Sequence, residues 1–153
     1  MEVKVQKLSG KAIVPTKMTK GSAAYDLFAP FDQILVHGRQ VIDLYLAIEL
    51  PEGYEAKIEP RSGYAAKGFV GALDNTQEPN IRFDCDVIVG KIDSDYRGGI
   101  GVIVCNRDRP FFIKRGQRIA QLTIYKVEEA EFTEVEKLSE TERETGGFGH
   151  TGN

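Results

Sequence analysis

Val41-Ile42-Asp43-Leu44-Tyr45-Leu46-Ala47-Ile48-Glu49-Leu50 is the stretch on which the fold is decided. Ile42, Leu44, Leu46, Ile48 and Leu50 alternate with Asp43, Tyr45, Ala47 and Glu49. Successive side chains of a strand point to opposite faces, so a period of two marks a half-buried strand. Pro51-Glu52-Gly53 then turns the chain, and Tyr54, Ala56 and Ile58 resume the same rhythm.

Toward the N-terminus, Val3 and Val5 share one face of a short run, and Ala12 to Val14 form another that Pro15 stops. Ile34 to Val36, a turn at His37-Gly38-Arg39 and the run from Val41 read as a hairpin. In the other direction, Arg61 to Gly68 has the only helical flavour, one or two turns ending at a glycine. Gly71 to Asn80 is polar and turn-rich, and Ile81, Phe83, Cys85, Val87 and Val89 restore period two. Gly90-Lys91-Ile92-Asp93-Ser94-Asp95-Tyr96-Arg97-Gly98-Gly99 lies between that run and Ile100 to Cys105, and so reads as the tip of a hairpin. Further strands follow at Pro110 to Ile113 and Arg118 to Val127, with a last one expected over Glu128 to Lys137, where Ala130, Phe132 and Val135 stay apolar. Many short strands separated by Gly and Pro turns imply an all-β sandwich or barrel. From Ser139 the pattern ends, so the expected organisation is a β domain over residues 1–138 and a flexible C-terminal arm over 139–153.

The chain has 153 residues, 41% of them hydrophobic, enough for one core without metals or disulfides. No run approaches the ~20 apolar residues of a membrane span. Met1-Glu2-Val3-Lys4-Val5 lacks the basic-then-apolar plan of a secretory signal, so an intracellular, cytoplasmic protein is expected. Cys85 and Cys105, both in apolar runs, are expected to be buried free thiols. A net charge of −3 argues against a nucleic-acid partner, which wants a basic surface. Any phosphate must therefore be held by a few converging residues.

Several residues are candidates for that work. Arg61-Ser62-Gly63 places backbone N–H groups, a hydroxyl and a guanidinium together, a set that suits an anion or simply starts a helix. Gln121 interrupts the apolar Ile119 to Ile124 run and faces either solvent or a ligand. The glycine-rich end with Phe148 is either a disordered terminus or a functional loop.

Read together, these pieces resemble the trimeric all-β dUTPase family. Ala24-Tyr25-Asp26-Leu27 is similar to its first motif, Pro60-Arg61-Ser62-Gly63 to the second and Gly90 to Gly98 to the third. Gly116-Gln117-Arg118-Ile119-Ala120-Gln121-Leu122 resembles the fourth, and Arg143 with Gly146-Gly147-Phe148-Gly149-His150-Thr151-Gly152 the fifth. The resemblance implies a distorted jelly-roll or β-barrel of short strands with one short helix, assembled as a homotrimer with shared active sites. It implies hydrolysis of dUTP to dUMP and pyrophosphate, keeping uracil out of DNA and supplying dUMP for thymidylate synthesis.

The roles it implies are specific. Asp93 would activate the water that attacks the α-phosphorus, while Asp95 braces the hairpin. Backbone around Lys91 and Ile92 would pair with the uracil edge, and Tyr96 would lie under the deoxyribose and exclude a 2′-hydroxyl. Arg61, Ser62, Gly63 and Gln121 would bind phosphate oxygens, with Asp26 behind them. Phe148 would stack on uracil, and Arg143, Gly149 and Thr151 would reach base or phosphates as the arm closes. Mg²⁺ would be held mainly by substrate phosphates and water, with no metal ligand from the protein.

Three positions depart from the family pattern: Glu144 stands where glycine is common, Tyr64 where leucine is usual, and the path from Gly68 to Val89 is lengthened. The segment 69–86 is either a tolerated surface insertion or a contact surface, including one for a regulatory protein. A dCTP deaminase, which shares the fold, is the alternative enzyme; a dUTPase-like regulatory binder is the alternative of another class.

Overall fold

The computed structural model describes residues 1–142 together with Glu144 and Thr145. In chain order the elements are β1 (Lys4–Lys7), β2 (Tyr25–Phe28), β3 (Gln33–Leu35), β4 (Gly38–Glu49), β5 (Tyr54–Glu59) and α1 (Ser62–Lys67). There follow β6 (Phe69–Gly71), β7 (Ile81–Phe83), β8 (Cys85–Ile88), β9 (Gly90–Ile92), β10 (Ile100–Asn106), β11 (Phe111–Ile113) and β12 (Arg118–Lys126). One sheet runs β1-β4-β10-β8 and a second β2-β12-β5-β9, with the two-stranded pairs β11-β3 and β6-β7 beside them. Both four-stranded sheets turn apolar faces into one core: Ile42, Leu44, Val102 and Val104 from the first, Leu27, Ala56, Ile58 and Leu122 from the second. The sheets stay open, so the all-β architecture is jelly-roll-like and no barrel closes. Among the described residues no helix is long and apolar enough to cross a membrane.

The alternation that decides the fold is real in β4, where Ile42, Leu44 and Leu46 are at most 1% exposed while Val41 and Tyr45 face out. A bulge interrupts it opposite Ile100 and Gly101, and there Tyr45 takes a left-handed φ of 52°. The Asp43 carboxylate holds that conformation by accepting the Tyr45 N–H at 2.7 Å. The turn at Pro51 to Gly53, where Gly53 has φ 77°, carries the chain from one sheet to the other. β4 and β5 are therefore neighbours in sequence that never pair.

Two expectations about local structure are corrected, and one apolar run finds its place outside the strands. Ile34 to Val36 does not form a hairpin with the run from Val41. β3 pairs instead with β11, in the register Phe111 to Leu35, which buries Leu35, Phe111 and Ile113 at 1% exposure or less. That apolar gain outweighs a local turn, and Asn106 seals the junction by donating Nδ2 to the Leu35 carbonyl at 3.1 Å. The run Ala12 to Val14 is no strand; Ala12 is in the core and Thr16 makes an isolated bridge to Asp26. Glu128 to Lys137 is no strand either. Among the described residues the last backbone bond tying this end to the body is Val127 N–H to the Gly53 carbonyl, and Phe132 beyond it is 96% exposed. Among the described residues none of those apolar side chains joins a strand of either sheet.

Segment 69–86 divides. Its ends are core: β6 and β7 pair as Phe69 to Phe83, and the Phe83 ring stacks on Phe111 with centroids 4.3 Å apart. Its middle is surface, a turn in which the Asp74 carboxylate accepts the Thr76 N–H at 2.8 Å. Gly71 lies hard against the Phe111 ring, so a Cβ there has no room. Gly71→Ala should cost about 1–3 kcal/mol of stability by overpacking. The check is a lowered denaturant midpoint at unchanged slope; an unshifted midpoint would show that the ring yields freely.

Cys85 and Cys105 are both free. Cys85 is buried as expected, and burial pushes its thiol up to about 12, so it stays neutral and unreactive. Cys105, on the opposite face of its strand, is only half-buried.

A candidate active site in two parts

The first part forms where β5 ends. Glu59 is the last residue of β5, Pro60 breaks the ladder, and Arg61 caps α1 with Ser62 and Gly63 in its first turn. β12 runs between β2 and β5, and its register sets Gln121 opposite Asp26 on one side and Glu59 on the other. The order of strands thus brings Arg61, Ser62, Gly63, Gln121 and Asp26 to one open cleft of about 550 Å³. Gln121 lines this cleft.

Asp26 is 8% exposed and is the electrostatic anchor of the cleft. Arg61 donates Nε to one of its oxygens at 3.2 Å, and Arg118 approaches the other at 3.5 Å. A buried carboxylate between two guanidiniums is compensated, and it fixes the Arg61 fork while leaving its outer nitrogens for a ligand. Tyr64 lies below, 7% exposed, with its hydroxyl accepting from Gln117 Nε2 at 3.0 Å. The tyrosine that replaces leucine is therefore hydrogen-bonded and buried.

The second part is the segment around Asp93. β8 and β10 do pair as the two arms of a hairpin, with Ile88 opposite Ile103. The tip does not simply fold back on them. Gly90 to Ile92 leaves for the other sheet and pairs with β5 as its edge strand, Ile92 opposite Ala56 and Lys91 opposite Lys57. Ile92 is 6% exposed and anchors the crossing, while Lys91 is tied to Glu55. That hydrogen bond holds the Glu55 carboxyl below its usual range and the Lys91 ammonium above its own. Among the described residues no strand lies on the outer edge of β9.

Beyond β9 the chain turns tightly, with the Asp93 carbonyl accepting the Tyr96 N–H at 3.2 Å. The Tyr96 hydroxyl donates to the Gly99 carbonyl at 3.0 Å, and Gly98 leaves the room that hydroxyl needs. Asp93 and Asp95 are both exposed. Among the described residues Asp95 makes no side-chain hydrogen bond or ion pair; Arg97 braces the loop, donating Nη1 to the Ser94 carbonyl at 2.6 Å and to the Tyr96 carbonyl at 3.0 Å. Arg97, Arg118 and Tyr64 all act at the two parts and were not singled out as site residues by sequence reasoning. Arg118 and Arg97 were detectable, as cations inside the Gly116 to Leu122 and Gly90 to Gly98 motifs; Tyr64 shows its role only through contacts that the fold creates.

The two parts do not meet. Gln121 faces Glu59 and Ile92 faces Ala56, so they lie on the order of 10 Å apart along β5, with that strand between them. Arg143, Phe148, Gly149 and Thr151 lie outside the described residues. Glu144 is described, with φ 43° and its carboxylate accepting the Thr141 N–H at 2.7 Å. A left-handed φ is the conformation glycine adopts without strain, a physical reason for glycine at this position in other members.

A family model described as dUTPase matches residues 10–152. The chain is 43% identical over 154 residues to the deoxyuridine 5'-triphosphate nucleotidohydrolase of Nautilia profundicola, covering 99% of each chain. It is 44% identical over 151 residues to the enzyme of the same description from Arabidopsis thaliana, covering 97% of this chain and 82% of that one. Among solved structures, a variant dUTPase of Staphylococcus bacteriophage 80alpha with dUpNHpp matches at TM-score 0.83 and 26% identity, covering 99% of both chains. A strand order that builds this cleft, five motifs in sequence and full-length relatives all agree: the chain belongs to the dUTPase family.

Proposed function

We infer that this protein hydrolyses dUTP to dUMP and pyrophosphate. The observation that carries the reading is the pairing, in a chain of this family, of a guanidinium, hydroxyl and amide cluster at Asp26 with an exposed aspartate on an edge-strand loop. Arg61, Ser62, Gly63 and Gln121 bind phosphate oxygens and offset the charge that develops as the bond to the leaving pyrophosphate lengthens. Asp93, with its carboxylate free of internal partners among the described residues, takes the proton of the water that attacks the α-phosphorus. The unpaired outer edge of β9 offers main-chain donors and acceptors at Lys91 and Ile92 to the uracil edge. Cytosine exchanges an acceptor for a donor there and leaves a backbone group unpaired. The Tyr96 ring, fixed by its bond to Gly99, lies under the deoxyribose. Arg143, Phe148, Gly149 and Thr151 belong to the arm, residues 139–153, that closes over the nucleotide.

No three His, Cys, Asp or Glu side chains converge as a metal site among the described residues, and the carboxylate of the phosphate cleft is already engaged by two guanidiniums. Within the phosphate cleft these residues leave no free carboxylate to hold an ion. Mg²⁺ accordingly enters as part of the substrate, on the triphosphate and its waters.

The separation of the two parts by β5 supports a homotrimer in which each site is completed by a neighbouring copy. The exposed Phe132, Val135 and Leu138 supply apolar surface for such an assembly. For segment 69–86 the tolerated surface loop is the preferred reading, with a regulatory protein at the exposed Leu73 turn as the alternative. A pull-down with and without a non-hydrolysable dUTP analogue separates it from the bare surface-loop reading. An intracellular location accords with the two free thiols.

The deciding experiment is pyrophosphate release from dUTP compared with dCTP, dTTP and UTP. Release from dUTP alone is expected. Ammonia from dCTP would make the protein a deaminase, and dUTP binding without turnover would make it a regulatory binder.

A further inference from the structure

Arg82 is a cation lining the phosphate cleft that no motif contains. It sits on β7, in the lengthened segment, and the β6–β7 register places it opposite Val70. From there its side chain crosses to α1, where Nη1 donates to the Gly68 carbonyl at 2.8 Å and to the Gly63 carbonyl at 3.3 Å. Its guanidinium carbon lies 5.9 Å from the centroid of the Tyr64 ring, and that of Arg61 lies 5.6 Å from the same centroid. Two like charges are thus gathered over one buried phenol. Arg82 lines the cleft of Ser62, Gly63 and Gln121, and also the adjoining one of about 440 Å³ that holds Lys114, Arg115 and Arg118.

The charges around it are unevenly compensated. Arg61 and Arg118 share Asp26, and Lys114 is paired with Asp32 at 3.0 Å. Among the described residues Arg82 has no carboxylate partner, and only Nη1 of its fork is engaged. Four guanidiniums, those of Arg61, Arg82, Arg115 and Arg118, therefore line the two clefts against the carboxylates of Asp26 and Glu78, and beyond Nη1 the N–H donors of the Arg82 fork have no acceptor among the described residues. That arrangement suits an anion of several charges with tetrahedral oxygens, and an arginine fork grips such oxygens two at a time.

We propose that Arg82 is a further phosphate-binding residue, holding the outer phosphates of the nucleoside triphosphate beside Arg61 and Ser62. This rests on the reading that Arg61, Ser62 and Gln121 bind the triphosphate. The lengthened segment thereby acquires a role, since the β6–β7 hairpin carries a fixed cation to the site from the body of the domain, independent of the arm. After hydrolysis the group in contact with Arg82 is pyrophosphate, and dUMP has no phosphate that reaches it.

The test is isothermal titration of the full chain and of Arg82→Gln with dUpNHpp, inorganic pyrophosphate and dUMP. Loss of a charge-assisted bidentate contact should weaken dUpNHpp and pyrophosphate roughly tenfold or more and leave dUMP unchanged. Unchanged dUpNHpp affinity overturns the proposal. So does a loss for dUMP equal to that for dUpNHpp, which would make Arg82 only a brace for α1. Arg82→Lys keeps the charge without the fork and should fall between parent and Arg82→Gln for the same two ligands; it decides alone if the glutamine variant does not fold, parental affinity for all three then being the overturning result. A parent chain that binds neither dUpNHpp nor dUMP would instead overturn the reading of the site itself.

Discussion

Asp93→Asn should lower kcat by about two to four orders of magnitude, the range a positioned general base contributes. Affinity for dUpNHpp should stay near the parent's. The structure gives the reason for the split. Asp93 follows β9 at the exposed turn and accepts through its main chain, from Tyr96 N–H, so an amide in place of the carboxylate leaves the turn intact. Its side chain anchors no other described part of the fold. A group needed mainly in the transition state shows in kcat, whereas a group that anchors substrate shows in binding. The measurement is steady-state pyrophosphate release beside direct titration. Turnover near the parent's would remove Asp93 from the mechanism and send the search for a base to Asp95.

Deleting residues 139–153 should abolish most hydrolysis while leaving a folded domain. No described residue beyond Val127 belongs to the core, and the last backbone bond to the body is made there, to Gly53. Thermal unfolding should therefore remain a single cooperative transition with little change in midpoint. On the proposed reading, closure over the nucleotide would exclude water and complete the site, and its loss should cost roughly a hundredfold or more in kcat/KM. Association state is the second readout, since the sedimentation profile should match the parent's. A truncated chain that dissociates or unfolds would make this end an architectural element.

Much of this molecule is legible in its residue order, for a reason that also limits the reading. β4, β5 and β10 declare themselves because each buries one face against a single core, so their periodicity survives in one dimension. Their partners do not. Nothing local tells Leu35 to pair with Phe111 rather than turn back on Val41, because the deciding term is apolar burial between residues far apart in sequence. The same holds for Gly90 to Ile92, whose flanks form the expected hairpin while the segment itself crosses to β5. Phe132 and Val135 show the reverse case, a strand-like rhythm with no partner within the described chain. At the site, Arg61, Ser62 and Gln121 are readable because they sit in compact motifs. Arg82 is not, since a cation in a strand of a lengthened segment has no meaning until β7 is seen beside α1.

The place of β12 between β2 and β5 has a bearing on how the protein is made. β2 and β5 have emerged from the ribosome long before β12 is synthesised, and neither can find this sheet partner until then. Pairing across such separations is slow, in the range of milliseconds to seconds for β domains. The exposed alternation of β4 and β5 must wait through that interval, with apolar faces uncovered. Chaperone demand during synthesis should therefore peak before Arg118 to Lys126 appears and fall sharply once it does.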